Sequence, residues 1–188
     1  MTLDDMKQMH KEFIALPHRR PQTCIEPIGM KYLWDKLEEL KPETILDLGS
    51  GLSSWVIRTW SKDKENVQVI STDLEAKWLN FCVNELQARE LSIENMFLHE
   101  VWEESVKTSR KKYDFIFLDL GDTRARKRRG AVLAGKLKKK GLMVLDDWHM
   151  PHYNGEMRDI LESAGMTVVD HKETIDRYGR YVAEAYFQ

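Results

Sequence analysis

TILDLGSGLSSWVIRTW, residues 44–60, is the stretch whose reading decides the fold. Thr44 to Leu48 is a short apolar run carrying one acid, which predicts a buried parallel strand. Gly49, Ser50 and Gly51 then turn the chain, and Ser53 or Ser54 is placed to cap a helix running through Trp55, Val56 and Trp60. A strand that feeds a helix through a glycine turn leaves unpaired backbone N–H groups, and the positive end of a helix dipole, beside an open crevice. Such a corner suits a nucleotide.

What the corner lacks narrows the ligand. A dinucleotide fingerprint, Gly-x-Gly-x-x-Gly, uses its third glycine for close helix–strand packing around a pyrophosphate. Ser54 stands at that position, and Asp47 lies two residues before the first glycine. A carboxylate there repels a pyrophosphate, yet it can hold the ammonium of an amino acid, directly or through water. The ligand that joins a nucleoside to an amino acid is S-adenosylmethionine. The segment Asp47-Leu48-Gly49-Ser50-Gly51-Leu52-Ser53 resembles the first motif of class I S-adenosylmethionine-dependent methyltransferases. A plain glycine turn in an α/β domain is the alternative.

The 188 residues suffice for one domain with a sizeable core and are too few for two full ones. Lys+Arg 29 against Asp+Glu 31 gives a formal net charge of -2, which removes any global polycation argument for nucleic acid. Cys24 and Cys82 are far apart, with no Cys-x-x-Cys or His/Cys cluster, so neither a disulfide framework nor a zinc site is expected. Met1 to His10 is polar and charged, and no later run is long enough to span a bilayer. The expectation is a soluble, cytoplasmic protein with no membrane partner.

From Leu3 to Leu16, and again from Ile28 to Leu40, apolar residues recur at helical spacing, with Pro42 stopping the second run. Residues 1–40 are therefore expected to form an N-terminal helical cap segment, and Pro17 to Pro27 an irregular strap that serves as a lid or simply as packing. Val67 to Asp73 is the second strand. In a doubly wound sheet ligands sit outside the carboxyl ends of the strands, so Asp73 falls in the crevice of Gly49 and Gly51. An Asp there accepts both ribose hydroxyls of a nucleoside, or caps the helix expected over Glu75 to Glu90. Ile93 to His99 is a weaker strand. Trp102, shortly after it, stacks on an adenine or covers core. Tyr113 to Leu118 ends at Asp119, and Leu142 to Leu145 ends at Asp146 and Asp147. After a helix from Gly155 to Ala164, Met166 to Ile175 and Arg180 to Phe187 flank a tight polar turn, which predicts an antiparallel hairpin.

Taken together, ILDLGSGLSS, VISTD, YDFIFLDLGDTRARKRRGAVLAGKLKKKGLMVLDDWH and the terminal hairpin resemble one class I methyltransferase domain over residues 41–188. The resemblance implies an α/β fold with a doubly wound, mostly parallel seven-stranded sheet closed by the C-terminal antiparallel hairpin. It implies that Asp47, Gly49, Ser50, Gly51 and Ser53 bind the methionine part, that Asp73 and Leu74 meet the ribose, and that Val101 and Trp102 wall the adenine, with Asp119 also at the cofactor. Catechol-type O-methyltransferases share the layout of acids. In them the acid after strand four and two residues after strand five hold Mg2+, and the matching positions are Asp119, Asp146 and Asp147, hard oxygen donors. The lysine expected three residues after the first of these is Asp122 here, which makes metal the lesser alternative. Without metal, Asp119, Asp147 or His149 is left to orient an acceptor hydroxyl or amine and take its proton. Imidazole is the one side-chain type of these that ordinarily titrates near neutrality.

Arg124 to Lys140 contains no acid. On a helix, Arg124 and Arg128 share a face near the crevice, which would suit a small acidic acceptor or the phosphates of RNA or DNA. Lys136 to Lys140 is expected to lie at a helix C-terminus in solvent. The leading expectation is methyl transfer from S-adenosylmethionine to a small or medium-sized acceptor, at oxygen. Behind it stand a nucleic-acid methyltransferase using the Arg124–Arg129 cluster, a non-catalytic cofactor-binding subunit, and a nicotinamide-dependent oxidoreductase. Asp47 and Ser54 count against the last.

Overall fold

The computed structural model describes residues 1–17, 24–107 and 109–188. The middle of the expected strap, residues 18–23, lies outside the described residues. In chain order the elements are helices α1 (Leu3–Ile14) and α2 (Pro27–Leu40), strand β1 (Thr44–Leu48), α3 (Leu52–Ser61), β2 (Gln68–Asp73), α4 (Ala76–Ala88), β3 (Met96–Leu98) and α5 (His99–Lys107). There follow β4 (Tyr113–Leu118), α6 (Thr123–Lys136), β5 (Leu137–Leu145), α7 (Pro151–Ser163), β6 (Met166–His171) and β7 (Val182–Phe187). The strands form one seven-stranded sheet in the order β3-β2-β1-β4-β5-β7-β6. All neighbours are parallel except β7, which runs antiparallel to both β5 and β6, as the hairpin pattern predicts.

The period-two geometry of a strand explains why the central runs are apolar throughout. Ile45, Phe115, Phe117 and Val144 point to one face and meet Phe13, Leu33, Leu37, Trp55 and Val56 from α1, α2 and α3. Leu46, Leu48, Ile116, Leu118 and Met143 point to the other and meet Leu133, Ala134, Met157 and Leu161 from α6 and α7. One layer of helices therefore covers each face. The N-terminal helices are also tied to the far end of the chain. In β7 the buried carboxylate of Glu184 accepts from the Tyr32 hydroxyl at 2.6 Å and pairs with Lys36 Nζ at 3.0 Å.

Several boundaries differ from the sequence expectations, each for a local reason. Helix α3 starts at Leu52 with Gly51 as its cap, not Ser53 or Ser54, because the Ser54 hydroxyl reaches back to accept from the Gly51 N–H at 3.2 Å. Strand β3 is only Met96–Leu98, since α5 begins directly at His99. Strand β5 starts at Leu137, so Lys138, Lys139 and Lys140 belong to a strand and not to a helix C-terminus. Lys138 is held there by Asp114 at 2.9 Å, at the end of the sheet opposite the glycine turn. Gly141 lies inside the strand, where a Cβ would come within 2.9 Å of the Asp114 carbonyl. Among the described residues no helix is long and apolar enough to cross a membrane.

Candidate functional site

Three backbone bonds align the carboxyl ends of the central strands. Gly49 N donates to Thr72 O at 2.9 Å, Asp119 N to Leu48 O at 2.7 Å, and Asp146 N to Leu118 O at 3.1 Å. The chain leaves β1 at Gly49 with φ +106, and a Cβ built there would lie 2.5 Å from the Asp119 carbonyl oxygen. Only glycine has both the conformation and the room. The turn opens into a cavity of about 640 Å³ whose floor is Gly49, Ser50, Gly51 and Ser53, with Asp73 on one side and Asp119, Asp147 and His149 on the other.

On the first side, Asp73 Oδ2 accepts from the Ser50 hydroxyl at 3.1 Å and Oδ1 from the Glu75 N–H at 3.0 Å. Burial raises its pKa, and the bonds from Glu75 and Ser50 oppose that shift. The cap of α4 is Glu75, so Asp73 is not the helix cap and faces the cavity. Asp47 behaves differently from the expectation. It is wholly buried and does not line the cavity, because Oδ2 accepts from Ser54 Oγ at 2.5 Å and Oδ1 from Ser53 Oγ at 3.4 Å. Burial pushes its carboxyl up to about 6, against the pull of the serines and Arg58. Its reach toward a ligand runs through Ser53.

The expected adenine wall is likewise corrected. Trp102 is 4% exposed and packs in the core, its indole N–H bonded to the Tyr113 hydroxyl at 3.3 Å and its ring against His99. Val101 on the same helix faces solvent, and neither it nor Leu74 lines the cavity. The phase of α5, starting at His99, turns Trp102 inward. A different aromatic, Trp78 of α4, stands at the cavity, with its indole N–H donated to the Ser50 carbonyl and its ring 3.6 Å from where a Gly51 Cβ would be. Phe13, Cys24 and Ile25 complete that wall from the N-terminal segment. A helical tryptophan at residue 78 carries no signal that separates it from core.

On the second side lies the group the sequence analysis missed. Arg126, 4% exposed, sends Nη2 to Asp119 Oδ1 at 2.5 Å and to Asp147 Oδ2 at 3.2 Å. Its signal was spacing. Arg126, Gly130, Leu133 and Ala134 form the buried stripe of α6, while Arg124 and Arg128, expected near the crevice, are exposed and do not line it. Asp122 starts the helix by accepting from the Ala125 N–H at 2.8 Å. A Cβ at Gly130 would lie 2.8 Å from Met157 Sδ, so α6 approaches α7 closely there and carries Arg126 inward. Arg129 is also drawn in, to His99 and to Glu103 at 3.2 Å.

Asp119, Asp146 and Asp147 each bring one oxygen within 4.8 Å of the others. Burial raises Asp119 well above the usual carboxylate range, opposed by Arg126 and reinforced by Asp146 and Asp147. Asp146 is pushed up to about 6 by burial and by Asp147. The glycine cradle and Asp73 fit a nucleoside joined to an amino acid. The carboxylates fit Mg2+ poorly, because two of the three already share one guanidinium nitrogen. His149 lines the cavity with its Nδ1 buried and without a hydrogen-bond partner.

No protein-family model and no curated protein sequence matches the chain. Solved structures do. The O-methyltransferase TomG from Streptomyces achromogenes, solved with S-adenosylmethionine, is 14% identical, TM-score 0.70, covering 99% of this chain and 89% of its own. The precorrin-6y C5,15-methyltransferase from Geobacter metallireducens GS-15 is 17% identical, TM-score 0.68, covering 94% of both chains. An O-methyltransferase from Bacillus cereus, solved with S-adenosylhomocysteine, is 12% identical, TM-score 0.62, covering 98% and 90%. With the strand order and the reversed last strand, these likenesses establish that the chain has the class I methyltransferase fold.

Proposed function

We propose that this chain transfers a methyl group from S-adenosylmethionine to a hydroxyl oxygen of a small or medium-sized acceptor. The observation that carries the reading is one cavity that joins the glycine cradle and Asp73 to Asp119, Asp147 and His149. When bound, the cofactor supplies an electrophilic methyl on a sulfonium. Gly49, Ser50, Gly51 and Ser53 hold its amino-acid part, with Asp47 fixing Ser53 from beneath. Asp73 accepts the ribose hydroxyls, and Trp78 walls that end. In-line transfer needs alignment and removal of one proton. The His149 imidazole takes the acceptor's proton, and Asp147 orients the hydroxyl.

Carboxyl groups outnumber cations around the cavity, with Asp73, Glu75, Asp119, Asp146 and Asp147 against Arg126 and Arg180. This favours a neutral or basic acceptor over an acidic one. The nucleic-acid alternative loses its support as well, since Arg126 and Arg129 of the basic cluster point inward to acids. The two buried free cysteines support a reducing, cytoplasmic setting.

Calorimetry with S-adenosylmethionine, S-adenosylhomocysteine and NAD tests the cofactor. The first two are expected to bind at about micromolar Kd, roughly -8 kcal/mol, and NAD not at all. Gly49→Arg abolishes both. Binding of NAD alone refutes the reading. His149→Gln is expected to lower kcat about 10²- to 10⁴-fold with cofactor affinity intact.

A further inference from the structure

We infer that Arg126 is a built-in replacement for a divalent metal, its guanidinium holding the ends of β4 and β5 together so that the carboxylates of the cavity take up no ion. Every hydrogen bond of the guanidinium goes to an oxygen. Nε donates to Leu120 O at 3.4 Å and Nη1 to Asp146 O at 3.2 Å. Nη2 is shared among the carbonyls of Asp119 and Gly121, both at 3.3 Å, and the carboxylates of Asp119 and Asp147. Hard carbonyl and carboxylate oxygens converging on one buried positive charge are the donor set of Mg2+ or Ca2+. Here a side chain supplies the charge.

Two further features make the arrangement permanent. The Tyr153 ring lies 5.7 Å from the guanidinium carbon, so the cation is backed by an aromatic face. Helix α6 is seated by Asp122 and by the close approach at Gly130, which leaves Arg126 no other direction. A divalent ion bound to Asp119 and Asp147 would have to share their oxygens with a guanidinium of the same sign. The planar fork, unlike an ion, is fixed to the chain and cannot be removed by a chelator. Asp119 and Asp147 consequently face the cavity with part of their hydrogen-bonding capacity already fixed.

The metal part of this inference rests on geometry alone, whereas its bearing on methyl transfer rests on the proposed function. Mn2+ binding, followed by loss of the free-ion electron paramagnetic resonance signal, tests it without turnover. The wild type at 50-fold lower than millimolar ion, about 20 µM Mn2+, is expected to leave the signal unchanged, as is usual for a protein with no dedicated site. Arg126→Ala and Arg126→Gln are expected to quench it, and Arg126→Ala with Asp147→Asn to restore it. Arg126→Lys, which keeps a charge in place, is expected not to quench. Quenching by the wild type overturns the inference whatever the variants do, so it stays falsifiable if the variants fail to fold. Folded Arg126→Ala and Arg126→Gln that leave the signal unchanged overturn it too, because the oxygens then form no cation site. Calorimetry with S-adenosylmethionine on the same wild-type sample separates the two readings: absent cofactor binding refutes the proposed function and leaves the Mn2+ result to decide this one.

Discussion

Replacing Gly49 by alanine tests the corner on which both the fold and the site depend. The added Cβ meets two independent penalties. At φ +106 an L side chain is strained, and the new carbon lies 2.5 Å from the carbonyl oxygen and 2.6 Å from the carbonyl carbon of Asp119, backbone that cannot rotate aside. Strain of about 1–3 kcal/mol and overpacking of about 1–3 kcal/mol together give about 2–6 kcal/mol, a large share of the roughly 5–15 kcal/mol available to a domain. For a chain of this size that is a fall in Tm of about 10 °C. Gly51→Ala is the control. Gly51 has φ 170, an extended conformation open to any residue, and its Cβ would lie 3.6 Å from the Trp78 ring, an ordinary contact. That variant is expected to lose less than about 1 kcal/mol, while binding S-adenosylhomocysteine more weakly because the methyl intrudes on the cradle. Urea melts followed by circular dichroism, with calorimetric titration of the folded variants, check both. Equal stability losses at the two glycines, or a Gly49→Ala melt within about 1 °C of wild type, would refute the geometric argument.

Asp73→Asn keeps an oxygen for the Glu75 N–H and an amide N–H that the Ser50 hydroxyl can accept, but removes the charge, so S-adenosylmethionine affinity is expected to fall about 10- to 100-fold with little change in Tm. Isothermal calorimetry reads both partners of that comparison. Trp102→Phe should cost about 1–2 kcal/mol by losing the bond to Tyr113 and some burial, and leave cofactor affinity unchanged. A drop in affinity would restore Trp102 to the adenine wall. Asp47 has a folded pKa of about 6 against an ordinary 3.8, so its contribution to stability is greatest below 3.8 and is lost as pH rises through about 6. That difference is worth at most about 3 kcal/mol, and Asp146 acts in the same direction. Asp114, lowered by Lys138 and Thr44 despite partial burial, works oppositely and only at lower pH. The urea midpoint is therefore expected to decline from pH 5 to pH 7.5, and a rise over that interval would contradict the burial of both acids.

The architecture was legible because the strands it rests on are short apolar runs closed by turns and acids, from Leu46 beside Asp47 to Leu145 before Asp146. Their mostly parallel pairing and the reversed last strand followed from resemblance and from the turn at Asp176 to Gly179, which the structure closes with a Gly179 N to Asp176 O bond at 3.0 Å. Strand five was cut short because Lys138 to Lys140 look like solvent, and nothing local reveals that Asp114, far off in sequence, draws Lys138 into a ladder. In the candidate site, backbone-determined positions such as Gly49 and strand-end positions such as Asp73 and Asp119 line the cavity where the sequence put them. Positions fixed by helix phase were not. A shift of one residue in the start of α5 decides whether Trp102 faces a ligand or the core, and only the buried stripe of α6 distinguishes Arg126 from the exposed arginines on either side. Asp47 was expected at the ligand and is buried behind the cradle instead, since Ser53 and Ser54 engage it once α3 begins at Leu52.

The bond between Tyr32 and Glu184 has a consequence for biosynthesis. Strand β7 follows all the other described elements in the chain, yet it lies between β5 and β6, so on a ribosome β6 stays apart from β5 until residues 182–187 emerge and slide into the gap. Helix α2, formed early, waits the whole time for the carboxylate that anchors it. A nascent chain stalled before residue 184 is thus expected to remain sensitive to protease at both of its ends, and to become resistant in a single step when that strand is released.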